Sequence, residues 1–411
     1  MNKPKIRFSG YMDAWEQRKA VDIADYSKGN GYSKSDLTEI GTPIILYGRL
    51  YTKYQFVINE VDTFVTPKNG SVYSQGNEVI IPASGETAED IARASAVEKT
   101  GILLGGDLNI LRPFNLINPL FLALAISNGE PQKELAKKAQ GKSVVHIHNS
   151  DIQEVSVSFP TRAEQDRIVA VFRHLDNLIT LHQRKCEETK KIKKYMLQKM
   201  FPQNGSKVPE IRFGGFTDDW EQRKLGEMMN VTSVKRIHQS DWTDSGVRFL
   251  RARDIVAASK NEEPDDYLYI SKEKYEEYSA ISGKVDIDDL LVTGVGTIGV
   301  PYLVENTEPL YFKDGNIIWF QNQNEIDGKF LYYSFIGNGI QSFIKASAGT
   351  GTVGTYTIDT GKKTPIQLPL KDEQKKIGEY FTELDHLITL HQRKCEEFQI
   401  MKKYMLQNMF V

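Results

Sequence analysis

The sequence predicts a mixed α/β (α+β) fold with two globular modules, internal pseudo-twofold symmetry, and an antiparallel coiled coil of two long helices between the modules. Three observations predict it: two internal repeats, two helical runs with heptad spacing, and short β-rich runs between turn signals. The length of 411 residues agrees with more than one domain, at roughly 100–200 residues per domain.

The repeats are the clearest feature of the chain. Residues 4–19 return as residues 209–224 with 11 of 16 positions identical, and residues 163–201 return as residues 372–410 with 25 of 39 identical. The intervening segments, 20–160 and 225–370, share only scattered residues. Either the matching blocks contact two copies of one partner while the divergent segments bind different ligands, or a recent duplication has drifted in its middle parts.

The repeats and a short linker rich in Pro, Gly and Ser define the predicted domain boundaries. They are an N-terminal globular domain (1–160), a first helix (161–201), the linker (202–208), a C-terminal globular domain (209–370) and a second helix (371–411).

The two long runs are predicted helices. Residues 163–201 contain no Gly or Pro, Thr161 and Glu164 match a capping box, and Pro202 ends the run. Apolar positions alternate at spacings of four and three, as in a coiled coil. Near the helix ends, Ile192 and Met401 are expected to replace Lys193 and Lys402 in the seam. The predicted seam and partner-docking residues are Trp15, Trp220, Leu175, Ile179, His182, Cys186, Leu384, Ile388, His391 and Cys395.

Two His-x-x-x-Cys pairs lie within this predicted seam. His182 with Cys186, and His391 with Cys395, could bind zinc together, and the two cysteines could form a disulfide. The favoured interpretation is ordinary seam residues, with no metal.

The divergent segments are predicted to be α/β modules. The expected strands are 43–47, 55–58, 78–81 and 108–111 in the first segment and 247–250, 290–293, 302–304 and 317–320 in the second. The expected helices are 119–127 and 328–336.

Basic, aromatic and hydroxyl residues cluster in the predicted loops. Arg and Lys can neutralise phosphates or reach base edges, and Gly-rich backbone lets amides approach a phosphate. The candidate nucleic-acid contacts are Tyr47, Arg49, Lys53, Lys138, Lys142, Ser143 and His146 in the first module and Arg251, Arg253, Lys345, Thr350, Thr352 and Tyr356 in the second.

Several function classes are disfavoured. A net charge of −2 excludes a uniformly basic surface, so a nucleic-acid site has to be a local patch. Gly294-Val-Gly-Thr-Ile-Gly299 matches a dinucleotide fingerprint, but a predicted strand follows where that motif needs a helix. No phosphate loop, methyltransferase motif or catalytic centre is found. Without a signal core or an apolar run of membrane length, the chain is expected in the cytoplasm.

The layout resembles the specificity (S) subunits of type I restriction–modification systems. The resemblance rests on Trp15-Glu-Gln-Arg-Lys19 and Trp220-Glu-Gln-Arg-Lys224, on the helix starts Glu164-Gln165 and Glu373-Gln374, on the twin segments 178–188 and 387–397, and on Gly296-Thr-Ile-Gly299. It covers nearly the whole chain, although the first divergent segment lacks an obvious Gly-Thr-Ile-Gly counterpart. The resemblance adds Thr297 to the candidate DNA contacts.

The resemblance implies a non-catalytic subunit with two target-recognition domains, each reading half of a bipartite site on double-stranded DNA. The helical rod would fix the spacer and dock two methyltransferase subunits, and through them restriction (motor-nuclease) subunits. S-adenosylmethionine, ATP and Mg²⁺ would bind to those partners, not to this chain. The alternatives are an enzyme acting alone and a structural adaptor that binds proteins instead of DNA.

Overall fold

The computed structural model describes residues 3–141, 144–203, 205–348 and 354–410. They form two compact units: unit 1 comprises Met1–His182 and Arg393–Val411, and unit 2 comprises Gln183–Gln392. Each unit therefore contains one globular domain and one segment of each long helix. Among the described helices, none combines the length and the apolar character that a bilayer crossing requires.

Unit 1 contains fourteen strands in its described residues, most of them short. They are β1 (Glu16–Lys19), β2 (Ala24–Lys28), β3 (Leu37–Thr38), β4 (Thr42–Ile45), β5 (Val57–Ile58), β6 (Phe64–Val65), β7 (Tyr73–Gln75), β8 (Glu78–Pro82), β9 (Ser84–Gly85), β10 (Ser95–Val97), β11 (Thr100–Leu104), β12 (Leu108–Pro113), β13 (Val145–His146) and β14 (Ser156–Phe159). Two five-stranded sheets, in the orders β2-β12-β8-β10-β5 and β3-β6-β4-β11-β7, form the body of the domain. The pairs β1-β14 and β13-β9 complete it.

The helices of unit 1 cover these sheets. They are α1 (Arg49–Thr52), α2 (Ala88–Ile91), α3 (Pro119–Ile126), α4 (Gly129–Lys138), α5 (Asn149–Gln153) and the first half of α6 (Arg162–Lys199). Helix α3 is apolar on all sides and buried over seven of its eight residues, so it forms the centre of the domain core.

Unit 2 repeats this design with fewer strands. They are β15 (Glu221–Lys224), β16 (Asn230–Thr232), β17 (Trp242–Thr243), β18 (Val247–Leu250), β19 (Leu268–Ile270), β20 (Leu290–Thr293), β21 (Pro301–Leu303), β22 (Leu310–Phe312), β23 (Ile317–Gln321) and β24 (Pro365–Leu368). The sheets have the orders β16-β23-β20-β21 and β17-β19-β18-β22, beside the pair β15-β24. The helices are α7 (Leu225–Met228), α8 (Ala252–Ala258), α9 (Lys272–Ser282), α10 (Gly328–Ile336), α11 (Asn338–Ser347), α12 (Ile358–Lys363) and α13 (Lys371–Met409). The residues of α13 from Arg393 onwards belong to unit 1, and those of α6 from Gln183 onwards belong to unit 2.

These elements confirm the predicted fold class. The predicted strands at 247–250 and 290–293 and the helix at 328–336 coincide with β18, β20 and α10. The Gly-rich segment at 294–299 joins two antiparallel strands, β20 and β21. A strand therefore follows it, as predicted, and not the helix that a dinucleotide site needs.

The helix segments run antiparallel within each unit. In unit 1, the ring centroids of Phe172 and Phe410 are 5.9 Å apart and those of His182 and Phe398 are 5.6 Å apart, so the partner's number falls as the number along α6 rises. In unit 2, Cys186 Sγ lies 3.9 Å from Ile388 O and Lys193 Nζ lies 2.5 Å from Asp385 Oδ1, so residue numbers again run in opposite directions along the two segments. The predicted antiparallel coiled coil is therefore present in both units.

The expectation that Ile192 and Met401 enter the seam is wrong. These side chains are 48 % and 49 % exposed. The seam positions keep their lysines instead: Lys193 Nζ lies 2.5 Å from Asp385 Oδ1 and above the Tyr333 ring, and Lys402 pairs with Asp176 in the same way. A lysine can occupy a seam when its stem packs against apolar neighbours and a carboxylate meets its charge.

The repeated blocks hold each globular domain onto its helix. Trp15 packs edge-on against Phe121, and Trp220 packs in the same way against Phe330. Both tryptophans are buried, so their side chains belong to the domain cores and are not available to dock a partner. Of the other predicted seam residues, Leu175, Cys186, Leu384, Ile388 and Cys395 are buried, and Ile179, His182 and His391 are partly buried.

An ion pair that sequence reasoning missed recurs in both units. Arg7 Nε and Nη2 donate to the two oxygens of Glu164 at 2.7 and 2.8 Å. Arg212 Nε and Nη2 contact Glu373 at 2.7 Å each. Both carboxylates are fully buried. In each unit the pair fastens the N-terminal repeat to the start of the long helix.

Candidate nucleic-acid interface

Three strand ends meet at one edge of unit 2. Strands β18 and β22 are parallel and end there together, and the antiparallel pairing of β20 with β23 brings the end of one beside the start of the other. Two backbone hydrogen bonds link the loops that follow: Lys313 N donates to Leu250 O at 2.8 Å, and Gly294 N donates to Asn316 O at 2.7 Å. We call segments 251–253, 294–299, 313–316 and 354–356 the loop edge of unit 2.

Unit 1 has an edge of the same construction. Gly105 N donates to Ile45 O at 2.9 Å, and Ala83 N donates to Asp107 O at 2.9 Å. Ile147 N then donates to Ala83 O at 3.1 Å, just as Tyr356 N donates to Gly294 O at 2.9 Å in unit 2. The loop edge of unit 1 therefore consists of segments 46–49, 83–86, 105–107 and 146–148.

This correspondence supplies the counterpart that the first divergent segment lacked. Ala83 occupies the backbone position of Gly294, so residues 83–86 follow β8 as residues 294–297 follow β20. Ala-Ser-Gly-Glu has little in common with Gly-Val-Gly-Thr. No local sequence signal could have identified it, because the hydrogen bonds that define the position join residues far apart in the chain.

Two of the predicted contacts in unit 1 lie in one cluster at the loop edge. The Tyr47 ring lies 6.3 Å from the ring of Tyr51, whose hydroxyl donates to Ser84 O at 2.8 Å. Ser84 Oγ is 3.1 Å from His146 Nδ1. Burial raises the pKa of Tyr51, so its phenol stays protonated and available to donate. Sequence reasoning missed Ser84, which β9 and β13 bring to His146 across 62 positions.

Three other predicted side chains of the first module pair with carboxylates. Arg49 donates to Asp62 at 3.0 Å and to Gln55 and Glu60 O at 3.1 Å, and Lys53 pairs with the same Asp62. Lys138 pairs with Glu154. Lys142 and Ser143 lie outside the described residues.

In unit 2 the predicted arginines form a network with carboxylates. Arg251 donates to Asp254 Oδ1 and to Asp266 Oδ2 at 2.9 Å each, and Arg253 also pairs with Asp266. Despite the cost of burial, the hydrogen bonds that Arg251 donates to these carboxylates raise its pKa. Arg251 is largely buried and holds the loop in place, whereas Arg253 is exposed to solvent.

The Gly-rich hairpin presents Thr297 at its exposed tip, next to Gly296 with a φ of +77°. Gln341 Nε2 of α11 donates to Gly299 O at 2.8 Å, and Lys345, about one turn further along that helix, is exposed. Tyr356 does not face solvent: it is 2 % exposed and its hydroxyl lies 2.5 Å from Thr364 Oγ1. Thr350 and Thr352 lie outside the described residues.

Two further cations at this edge were missed by sequence reasoning. Arg236 Nε lies 2.8 Å from Asp314 Oδ2, and the neighbouring Lys313 is partly exposed. The turn at residues 313–316 could have revealed Lys313 from sequence, whereas Arg236 reaches the edge only through the fold. The described residues contain no group of three or more His, Cys, Asp or Glu side chains that could hold a metal ion.

Comparison with known proteins gives a consistent family. The profile of the type I restriction modification DNA specificity domain matches residues 12–191 and 217–399. A type I restriction enzyme specificity subunit of Methanocaldococcus jannaschii (MjaVIII) is 24 % identical over 354 residues, covering 83 % of this chain and 80 % of that protein. A putative specificity subunit of Haemophilus influenzae is 27 % identical over 242 residues, covering 58 % and 57 %.

Two solved structures share the fold. The S subunit of a type I restriction–modification system from M. genitalium superposes with a TM-score of 0.61 at 15 % identity, covering 100 % of this chain and 99 % of that one. The HsdS subunit from Thermoanaerobacter tengcongensis gives a TM-score of 0.51 at 14 % identity, covering 95 % of both chains.

Proposed function

The chain belongs to the family of type I restriction–modification DNA specificity proteins, and we propose that it recognises DNA for such a complex, each globular domain reading one half of a bipartite site. One observation carries this proposal. The two loop edges have the same backbone construction but present different side chains, as two readers of unlike half-sites require. Contacts to phosphates would set the register of each domain, and a few side chains would reach base edges in the major groove.

We assign the reading of the first half-site to Tyr47, Ser84 and His146, and that of the second to Arg253, Thr297 and Lys345. Hydroxyl, imidazole and guanidinium groups can all hydrogen-bond to base edges or phosphates. Arg49, Arg251 and Tyr356 hold the loops in place through the contacts described above.

The long helices would set the distance between the half-sites. Helix α6 has 38 residues and a length of about 57 Å at 1.5 Å per residue. The same helices would dock two methyltransferase subunits, and restriction subunits through them. S-adenosylmethionine would bind to the methyltransferase subunits, ATP and Mg²⁺ to the restriction subunits, and this chain would perform no chemistry itself.

A domain exchange tests the function directly. The chain is co-expressed with a methyltransferase partner, and methylated adenines are mapped genome-wide. We expect a bipartite motif with a fixed gap. Exchanging residues 20–160 for the corresponding segment of another family member should change one half of the motif and leave the other half and the gap unchanged.

Changes in both halves would contradict modular reading. DNA binding that is absent, or insensitive to salt, would favour the protein-binding adaptor, because phosphate contacts make affinity fall steeply as salt rises.

Both units expose a similar small apolar set on their helices, which suits docking of two identical partners. In unit 2 the set is Ile192, Tyr195 and Leu390, and in unit 1 it is Met401, Tyr404 and Leu181. These side chains occupy equivalent positions of the repeat. Because packing inside the chain does not explain why exposed positions remain alike, a shared partner is the better explanation.

The substitutions Ile192→Ser and Tyr195→Ser, made together, should therefore disable one docking site of the two. Loss of two exposed apolar side chains of this size is expected to weaken docking at least tenfold, or about 1.4 kcal/mol or more. Sedimentation of the complex should show the number of bound methyltransferase subunits fall from two to one.

The matched control is Ile400→Ser. Ile400 is exposed and apolar, but its counterpart in the repeat is Lys191, so docking of two identical partners cannot depend on it. A control as damaging as the double variant, or a double variant that still binds two partners, would contradict this docking surface.

A further inference from the structure

A surface depression on unit 2 is lined by several lysines. It has a volume of about 490 Å³ and lies between α6, the turn that follows α8, and α13. Four lysines line it: Lys190, Lys193 and Lys194 from α6, and Lys260 from the turn. We call it the lysine pocket.

Two of these charges are neutralised inside the unit and two are not. Lys193 is paired with Asp385, and Lys190 lies 3.0 Å from Glu187. Within the described part of the chain, Lys194 and Lys260 have no ion pair or side-chain hydrogen bond, and both are exposed. The pocket therefore presents about two uncompensated positive charges.

The turn that presents Lys260 is held firmly. Lys260 N donates to Ala257 O at 2.9 Å, and Asn261 N donates to Ala258 O at 3.0 Å. Asn261 adopts a φ of 59°, the left-handed conformation in which a helix commonly ends. The position of the Lys260 backbone is thus fixed relative to α8.

Helix α8 links the lysine pocket to the loop edge of unit 2. It begins at Ala252, directly after Arg251 at that edge, and ends at Ala258, two residues before Lys260. Seven residues span about 10 Å, and duplex DNA carries one phosphate charge per about 1.7 Å of its axis. A duplex seated on the loop edge would therefore have several phosphates within that distance.

We propose that the lysine pocket binds backbone phosphates of DNA next to the second half-site, without regard to base sequence. This inference rests on the proposed function and adds a positioning contact to it. Lysine suits this role because its ammonium acts as a compact point charge towards phosphate.

The repeat pattern favours DNA over a partner protein as the occupant. A surface for two identical partners should recur in both units. Lys194 does recur, as Lys403, but Lys190 corresponds to Gln399 and Lys260 belongs to the divergent segment, so the complete set of charges does not recur. On α6, at 100° per residue, Lys190 and Lys194 lie about 40° apart, and each is about 100° or more from Ile192 and Tyr195 of the docking set.

The test compares salt dependence in the assembled complex of the full chain with its methyltransferase partner. Lys194→Gln with Lys260→Gln should reduce the slope of log affinity against log salt by about 2, at about 0.9 per lost phosphate contact. Affinity should fall by the same factor for target and random duplexes, and the methylated motif should not change. The matched control is Lys191→Gln with Lys272→Gln, two exposed lysines that do not line the pocket.

Three results would overturn the inference. The first is a slope of log affinity against log salt equal to that of the wild type, and the second is a loss of affinity confined to the target duplex. The third is weaker association with the methyltransferase in the absence of DNA, which would assign the pocket to protein. Failure of the wild-type complex to bind DNA at all would refute the proposed function itself, and the two failures are therefore distinguishable.

Discussion

Replacing Arg212 by alanine is expected to lower the free energy of unfolding of unit 2 by about 3 kcal/mol. Glu373 is 0 % exposed, and both of its oxygens accept hydrogen bonds from Arg212, which is itself 13 % exposed. The variant leaves this carboxylate buried without its counter-ion, and an unpaired buried charge costs far more than a lost surface contact. Urea unfolding followed by tryptophan fluorescence measures the change, since Trp220, Trp242 and Trp319 all lie in unit 2.

Arg223→Ala is the matched control. Its ion pair with Glu221, at 2.8 Å, is exposed on both sides, so its loss should cost no more than about 0.5 kcal/mol. Adding Glu373→Gln to Arg212→Ala removes the stranded charge and should recover part of the lost stability. If Arg212→Ala is no more harmful than the control, the buried pair does not fasten the repeat to the helix.

The repeated residues fall into two groups once the structure is known. Arg7 and Arg212, with Glu164 and Glu373, are alike because both cores need the same buried ion pair. Leu181 and Leu390, or Tyr195 and Tyr404, are exposed, and packing places no such constraint on them. Drift after duplication would have eroded the exposed group first, so its persistence supports a shared partner.

Local patterns in the sequence predicted the two long helices, two shorter helices and eight strands, whereas the described residues contain 24 strands and 13 α-helices. Strands β18 and β20 and helix α10 follow from short apolar runs bounded by turn residues, and both long helices follow from heptad spacing. Such patterns depend only on neighbours in the chain, and for that reason they could be read without any knowledge of tertiary contacts.

The candidate site was harder to predict because long-range contacts build it. Ser84 meets His146 only through the pairing of β9 with β13. Tyr356 follows a run of Gly and Thr that indicates an exposed loop, yet its hydroxyl is bound to Thr364 in the core. The sequence predicted Arg49 as a DNA contact, but the fold places Asp62 beside it as an ion-pair partner. Residue type was enough to propose side chains that could bind DNA. Which arginines and lysines are free to do so depends on the carboxylates that the fold places beside them.

The lysine at the seam gives the second large expected effect. Lys193→Glu places a carboxylate opposite Asp385, where Lys193 Nζ now lies 2.5 and 2.6 Å from the two oxygens. We expect unit 2 to lose about 2 kcal/mol, a value reduced from that of a fully buried pair because Asp385 is partly exposed. Urea unfolding measures the loss, with Lys191→Glu as the control on the exposed face of the same helix.

The charged pair in the seam favours antiparallel over parallel packing of the two helix segments. Lys193 and Lys402 are equivalent in the repeat, as are Asp176 and Asp385. Equivalent segments packed in parallel would place lysine opposite lysine, whereas the antiparallel arrangement places each lysine opposite an aspartate.

The double variant Lys193→Asp with Asp385→Lys should therefore regain most of the stability that Lys193→Glu loses. Lys193→Met should cost less than Lys193→Glu, since it keeps the packed stem without repelling Asp385. A loss for Lys193→Glu no greater than that for Lys193→Met would show that repulsion of Asp385 contributes nothing, and that charge does not select the alignment.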